Sequence, residues 1–211
     1  MMRVVVSEFV TLDGVFEDPG GVEGFEHGGW AFGYERGADG DRFKLDEILE
    51  ADALLLGRVT YEAFAAAWPT RTDSSGFADK MNTIPKYVVS STLRQAEWSN
   101  STILTGDLTE DLRDLVRDGE GTILVVGSGA VVRELLDHDL VDEVRLMVFP
   151  AVLGHGASIF AGLGHPARFA VSGVQPFGET LLVTLCRHEK AVPTATGEPP
   201  SNPRSQPVSA G

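Results

Sequence analysis

The fold of this chain is decided by the stretch TILVVGSGAVVRELL, residues 122–136. Residues 123–126 form a short, continuous apolar run, which is typical of a strand covered on both faces. After the small residues 127–129, apolar positions recur at helical spacing, with charged residues on the opposite side. Because the period changes from strand to helix across three small residues, the stretch predicts a buried strand, a tight turn and a helix.

The glycine-rich turn at residues 127–129 has two interpretations. At the start of a helix the first backbone N–H groups have no intrahelical partner, and glycines leave them open to a phosphate group. Alternatively, glycine is needed here only for the backbone angles of a tight turn. The dinucleotide-binding pattern G-x-G-x-x-G is incomplete, since Val132 stands at its third glycine. The turn alone leaves both interpretations open.

Two other predicted strands end in residues suited to an anion. Residues 53–56 predict a buried strand that runs into Gly-Arg-Val-Thr at 57–60, and residues 86–89 predict a strand that ends in two serines at 90–91. The guanidinium of Arg58 is a forked hydrogen-bond donor suited to phosphate. The alternative is that Arg58 is only a solvated surface residue. Hydroxyl groups bind phosphate too, although at strand ends and helix starts they more often cap backbone groups.

The alternation of strands and helices predicts one α/β domain in three layers, α/β/α, with a mostly parallel central sheet. Residues 168–174 and 180–187 predict a hairpin that adds an antiparallel C-terminal edge. In such sheets ligands bind outside the carboxyl ends of the strands. The three junctions therefore lie at one edge, and together they predict a site for a ligand with several phosphates.

Residues 14–40, named here the aromatic segment, are rich in glycine and predict an irregular loop before a helix over 42–51. A loop of this length is uncommon in a compact domain unless it has a function, such as covering a ligand. The alternative is a mobile insertion whose aromatic side chains only dock it on the core. Its aromatic residues include Trp30 and Phe32, which we take as candidate substrate contacts.

Composition limits the partners and the location of the protein. The net charge of −14, from 31 acidic and 17 basic residues, repels phosphate backbones and acidic membrane surfaces, so we expect neither nucleic acid nor a membrane as a partner. A single cysteine, Cys186, excludes an intrachain disulfide and a multi-cysteine metal site. With no signal-peptide pattern and no long apolar run, we expect a cytoplasmic protein.

The domain is predicted over residues 1–190, and the proline-rich residues 191–211 are predicted to be a disordered tail. The five histidines lack metal-ligand spacing such as H-x-x-x-H, so no metal site is predicted.

The order of the short motifs resembles the dihydrofolate reductase superfamily. The nearer likeness is to the reductase domain of bacterial riboflavin biosynthesis and its stand-alone relatives. The motifs are TLDG at 11–14, LGRVTY at 56–61, VSS at 89–91, VGSG at 126–129 and PxxLGxG at 150–156. The resemblance spans roughly residues 2–187 and implies an NADPH-binding, dihydrofolate-reductase-like domain. It also makes a homodimer an expectation.

Carried over by position, the resemblance assigns a role to each motif. The cofactor-binding residues it implies are Thr11 near the nicotinamide, Gly57, Arg58 and Thr60 at the phosphates, Ser90 and Ser91 at the 2′-phosphate, and Gly127, Ser128, Gly129, Ala130 and Val131 at the pyrophosphate. The resemblance also makes Asp13 the catalytic candidate. The candidate substrate residues are Pro150 and Gly154, together with Trp30 and Phe32 from the aromatic segment. Asp before Gly is also good turn chemistry. A first-helix carboxylate, which dihydrofolate reductases carry, could be Asp41, Asp46 or Glu47.

The sequence therefore predicts an NADPH-dependent reductase that transfers hydride to an unsaturated small molecule, a pterin-like or other C=N or C=O compound. Two alternatives stay open. One is a non-catalytic nucleotide-binding protein that keeps the predicted phosphate-binding residues at the three strand ends. The other is a flavin- or drug-binding protein in which Trp30 or Phe32 stacks on a ring.

Overall fold

The computed structural model describes residues 1–187, which form one eight-stranded mixed sheet with helices on both faces. The strands are β1 Arg3–Thr11, β2 Ala53–Gly57, β3 Lys86–Val89, β4 Ser101–Leu104, β5 Thr122–Val126, β6 Glu143–Phe149, β7 Phe169–Phe177 and β8 Thr180–Arg187. The helices are α1 Gly37–Glu50, α2 Arg58–Ala67, α3 Phe77–Thr83, α4 Leu108–Asp118 and α5 Gly129–Asp137, with a 3₁₀ turn at Trp30–Gly33.

The strand order is β4-β3-β2-β5-β1-β6-β8-β7. Strands β1 to β6 pair in parallel, whereas β8 pairs antiparallel with both β6 and β7. The predicted parallel sheet with an antiparallel C-terminal edge is confirmed. Strand β1 lies between β5 and β6, so its carboxyl end is in the middle of the row of strand ends at which the ligand was predicted to bind.

Side chains of β1 alternate between two cores. Val4 and Val6 pack in a cluster with residues of α4 and α5, whereas Val5 packs with residues of α1, α2 and α3. The sheet is thus covered on both faces, which explains the continuous apolar runs of its central strands. The three-layer α/β/α prediction is confirmed.

Several element boundaries differ from the prediction. Helix α1 begins at Gly37 rather than at 42, and Gly40 allows its first turn to approach Phe177, whose Cβ would lie 3.1 Å from an added Cβ. Helix α3 begins at Phe77, where the Asp73 carboxylate accepts hydrogen bonds from the N–H groups of Phe77 and Ala78. Strand β7 continues through Pro176, which an edge strand tolerates.

Among residues 1–187, no helix combines the length and the apolar character that a bilayer crossing requires. The predicted tail, residues 191–211, lies outside the described residues.

Candidate functional site

The three predicted junctions come together at one edge of the sheet. Strands β3, β2 and β5 are neighbours and run parallel, so their carboxyl ends meet. The junction after β2 and the junction after β5 are joined by hydrogen bonds. Ser128 Oγ accepts a hydrogen bond from the Gly57 N–H at 2.5 Å and donates one to Thr60 Oγ1 at 3.0 Å. Ser128 and Thr60 therefore hold the two turns against each other.

The glycines at this edge are required by that close packing. A Cβ on Gly127 would lie 2.5 Å from Thr60 Oγ1, and one on Gly57 would lie 2.8 Å from Ser128 Oγ. Gly127 also has a φ of 64°, a conformation that favours glycine. Close packing and backbone angles therefore require these glycines. That requirement does not exclude anion binding by the N–H groups of the next helix.

Helices α2 and α5 begin at this edge, at Arg58 and at Gly129. The first backbone N–H groups of each helix lack intrahelical partners, and the positive end of the helix dipole adds to their attraction for an anion. Ala130 and Val131 follow Gly129 in the first turn of α5. This arrangement suits phosphate groups.

Two arginines bring positive charge to the two helix starts. Arg58 is exposed, and its guanidinium pairs with Glu62 of the next helical turn at 2.6 Å. The Arg133 guanidinium lies beside Gly129, since an added Cβ there would be 3.1 Å from its Nη1 atom. The sequence analysis missed Arg133, although its position four residues after Gly129 places it over the first turn of α5.

The two serines after β3 have different roles. Ser90 is buried, and its Oγ accepts hydrogen bonds from the N–H groups of Leu93 at 2.9 Å and Thr92 at 3.2 Å. Its hydroxyl therefore caps the turn, as the alternative interpretation held. Ser91 is exposed at the edge, and its predicted cofactor contact stays a prediction.

A buried acid lies beneath the glycine turn. Glu8 of β1 is only 5% exposed and stands one position beyond the last β1–β5 pair, Ser7 with Val126, and thus level with Gly127. Burial raises the pKa of Glu8 from 4.5 to about 8, against the opposing effects of the Gly127 N–H and the Lys44 charge. Its Oε1 atom has no hydrogen-bond partner among residues 1–187. Composition and spacing gave no signal for this group.

A cavity of about 500 Å³ opens beside the carboxyl end of β1, on the side of α1. Its lining residues are Phe9, Ala31, Phe32, Tyr34, Glu35, Arg36, Gly37, Ala38 and Asp41. Phe32, predicted as a substrate contact, is 81% exposed in this lining. Aromatic walls and a paired Arg36 and Asp41, 2.7 Å apart, suit a flat molecule with a polar edge.

Trp30 does not line this cavity, and its role as a substrate contact stays a prediction. It is buried against Phe149 in the core below, and its indole N–H donates to the Glu17 carbonyl at 2.8 Å. A large aromatic with a single polar group is readily buried when that group finds a partner. Trp30 therefore anchors the aromatic segment.

The aromatic segment is a built structure rather than a loose insertion. The buried Asp18 carboxylate accepts hydrogen bonds from the N–H groups of Val22, Gly24 and Phe25, at 2.7, 3.1 and 3.2 Å. Tyr34 donates to the Pro150 carbonyl at 3.2 Å, which ties the end of the segment to the loop after β6.

Asp13 joins two loops at the same edge. Its carboxylate accepts hydrogen bonds from Thr11 Oγ1 at 2.5 Å and from the N–H groups of Gly154 at 2.7 Å and Leu153 at 3.1 Å. The Thr11 hydroxyl and the Gly154 N–H hold the pKa of Asp13 below its usual value. A carboxylate held in its ionised form is a poor proton donor, and the catalytic role of Asp13 stays a prediction.

The structure also settles the register of the α1 carboxylates. Asp46 pairs with Arg42 on the surface, and Asp41 lines the cavity. Glu47 is buried, with hydrogen bonds from Ser7 Oγ at 2.9 Å and Arg145 Nη1 at 3.1 Å and an ion pair with Lys44. Burial acts to raise the pKa of Glu47, but Lys44, Ser7 and Arg145 outweigh it, so the pKa lies below the usual value.

The fold and the site together define the class of protein: an α/β/α domain of the dihydrofolate-reductase-like type. Residues 2–183 match the family described as the RibD C-terminal domain, and the chain belongs to that family. This membership supports a reductase-like, oxidoreductase function.

Three similar proteins illustrate the match. The uncharacterized protein YyaP of Bacillus subtilis is 27% identical over 162 residues, which cover 75% of this chain and 80% of that one. A putative riboflavin biosynthesis protein from Shewanella sp. PV-4 has a TM-score of 0.70 at 22% identity, with coverage of 89% and 99%. A deaminase/reductase from Thermotoga maritima, a diaminohydroxyphosphoribosylaminopyrimidine deaminase/5-amino-6-(5-phosphoribosylamino)uracil reductase, has a TM-score of 0.58 at 19% identity, with coverage of 89% and 57%.

Proposed function

We propose that the protein is an NADPH-dependent reductase that transfers hydride to a planar, unsaturated small molecule with a C=N or C=O bond. The observation that carries the proposal is the meeting of two helix starts and two arginines at the carboxyl ends of β2 and β5. A cavity opens at the carboxyl end of β1, the strand next to β5. The reductases named among the similar structures support the same chemistry.

The residues at this edge fit a dinucleotide with a 2′-phosphate. The first turns of α2 and α5, with Arg58 and Arg133, would hold the phosphates, and Ser91 would meet the 2′-phosphate. Thr11 ends β1, which pairs with β5 on one side and β6 on the other. When bound, the reduced nicotinamide supplies the hydride.

The chain itself would bind and orient the acceptor. The rings of Phe9, Phe32 and Tyr34 would stack on its plane and exclude water, and Arg36 with Asp41 would position its polar edge. The Asp13 bridge fixes the Pro150–Gly154 loop against the end of β1. Positioning of this kind is the protein's share of a cofactor reaction.

The first test is a calorimetric titration with NADPH and, in parallel, NADH. We expect Arg58→Ala to weaken NADPH binding by about 1.5–3 kcal/mol, roughly 10- to 150-fold, since it removes a charged hydrogen bond. Arg42→Ala is the matched control, because Arg42 forms the same kind of i,i+4 pair on α1. If neither nucleotide binds, the proposal is wrong.

Turnover separates the proposal from its alternatives. Oxidation of NADPH with a panel of pterin-like and other C=N or C=O acceptors supports a reductase. Tight NADPH binding without turnover of any acceptor favours a non-catalytic nucleotide-binding protein. A yellow protein that retains flavin after purification favours a flavin-binding protein.

We also infer a homodimer. Strand β7 is at the edge of the sheet, and its Val171 and Val174 are 66% and 59% exposed, an apolar surface suited to a second copy. Light scattering of the wild-type protein and of Val174→Lys checks this inference; a monomer in both would refute it.

A further inference from the structure

A cluster of metal-ligating side chains lies where two loops meet, and none of its residues belongs to the proposed phosphate site. Glu26 and His27 belong to the aromatic segment, and His155 belongs to the loop after β6. One ligand atom from each side chain lies within 4.8 Å of the other two. Sequence spacing could not reveal this cluster, because its histidines are far apart in the chain.

The separations of the three ligand atoms fit a small cation. His155 Nε2 lies 2.6 Å from Glu26 Oε1, and His27 Nε2 lies 3.7 Å from the same oxygen. A tetrahedral zinc ion with bonds of about 2.0–2.1 Å requires ligand atoms roughly 3.3 Å apart. The observed distances fall on either side of that value, so small side-chain rotations would complete the site.

The backbone on both sides of the cluster is held in place. The Asp18 carboxylate binds the N–H group of Phe25, and the Gly28 N–H donates to the Phe25 carbonyl at 2.9 Å, which closes the turn carrying Glu26 and His27. On the other loop, Asp13 holds Gly154, and the Glu17 carboxylate accepts from the Ala157 N–H at 2.7 Å.

The imidazole rings also contact an aromatic ring and each other. The Phe25 ring meets the His27 and His155 rings edge-on, with centroids 5.6 and 5.7 Å away, and the two imidazoles are 4.7 Å apart. These contacts limit the orientations of the two imidazoles, whose side chains are 45% exposed for His27 and 54% exposed for His155, so an ion in solution can reach them.

The local charge favours a cation. The Glu17 carboxylate accepts a hydrogen bond from the N–H group of Ala157, two residues after His155, and the Asp18 carboxylate accepts one from the N–H group of Phe25, next to Glu26. A concentration of carboxylates attracts divalent ions. Two imidazole nitrogens and one carboxylate oxygen select zinc and its first-row neighbours over magnesium or calcium, which prefer oxygen ligands.

We propose that His27, His155 and Glu26 bind one divalent transition-metal ion, with zinc as the expected occupant, and that this ion fastens the aromatic segment to the loop after β6. The ion would act as a cross-link between two segments distant in sequence, in a chain whose single cysteine forms no intrachain disulfide. The site stands on these contacts alone and is independent of the proposed reductase function.

The test is a calorimetric titration of the chelator-treated, untagged full chain with Zn²⁺. We expect one equivalent to bind, and the melting temperature to rise with the ion. His27→Ala and His155→Ala should each weaken binding by more than roughly 100-fold, since loss of even an outer partner of a metal ligand costs about 10- to 100-fold. Affinity should also fall as the imidazoles are protonated at low pH.

Two controls keep the result specific. His138→Ala removes another histidine that pairs with a glutamate, Glu134, at 3.4 Å on α5, and it should leave Zn²⁺ binding unchanged. Titration with Co²⁺ should give the intense visible spectrum of a four-coordinate ion in the wild type only. The proposal fails if the wild type shows no saturable binding. It also fails if a natively folded His27→Ala/His155→Ala variant, checked by circular dichroism, binds as the wild type does.

Discussion

Replacing Glu8 by glutamine should change how the stability of the fold depends on pH. Glu8 is buried in the central strand β1 beneath the Gly127 turn, and its pKa is raised from 4.5 to about 8, first by burial. Glutamine has nearly the same shape and cannot ionise. The substitution therefore removes the titration while keeping the packing.

The sign and the magnitude of this pH dependence of stability follow from the pKa of Glu8. The unfolded chain loses the Glu8 proton near pH 4.5, but the folded chain keeps it until about pH 8. The contribution of Glu8 to stability is thus fully present below pH 4.5 and is lost as the pH rises to about 8. At about 1.4 kcal/mol per pH unit, the total loss is on the order of 5 kcal/mol.

The assay is urea denaturation of the wild type and of Glu8→Gln at several pH values between roughly 5 and 9. Each free energy of unfolding is compared at the same pH, so that groups common to both proteins cancel. We expect the wild type to lose about 3 kcal/mol relative to the variant between pH 5 and pH 7, and nothing further above about pH 8. Parallel curves would refute a neutral, buried Glu8.

Three further predictions concern the neighbouring contacts. Glu47→Gln should show the opposite pH dependence in the same assay. Because the pKa of Glu47 is lowered, the stabilisation by its carboxylate is present above the usual carboxylate range and is lost as the pH falls. A loss of stability in the variant that is the same at every pH would contradict this. Ser128→Ala should cost about 1–3 kcal/mol in thermal or urea unfolding, because it leaves the Gly57 N–H without its partner; an unchanged midpoint would show that this hydrogen bond does not stabilise the fold. Ser91→Ala should weaken NADPH more than NADH in calorimetry while Ser90→Ala lowers stability instead, and equal losses of both nucleotides would exclude a 2′-phosphate contact.

The sheet could be predicted because its signals are local. The change of period at residues 122–136 and the turn residues after each strand indicate which segments are strands and which are helices, and their alternation indicates a mostly parallel sheet. The convergence of the Gly57 and Gly127 turns follows from that topology alone. Boundaries such as the start of α1 at Gly37 depend on contacts with β7, which no local pattern contains.

The chemistry of the site was less predictable because it depends on burial and on distant partners. A glutamate in a run of β-branched residues does not reveal that Glu8 is enclosed, nor does the helical spacing around Glu47 reveal that Lys44 and Arg145 reach it. Trp30 was predicted as a ligand contact, but the tertiary fold buries its indole against Phe149. Local sequence specifies where a hydroxyl or a ring occurs, and only packing decides whether it faces a ligand.

The uncharged state of Glu8 would remove an electrostatic conflict from the proposed phosphate site at the starts of α2 and α5. A chain with a net charge of −14 would have to hold the proposed anionic cofactor through local groups, for which the starts of α2 and α5 with Arg58 and Arg133 are the candidates. An ionised carboxylate under the Gly127 turn would oppose those groups across a medium of low dielectric constant. With its pKa near 8, Glu8 is neutral at physiological pH and leaves the positive potential intact. By thermodynamic linkage, a phosphate bound at this turn would raise the pKa of Glu8 further. Ionisation of Glu8 would weaken the binding of that phosphate by the same free energy. The burial that destabilises the fold at high pH thus favours anion binding at neutral pH.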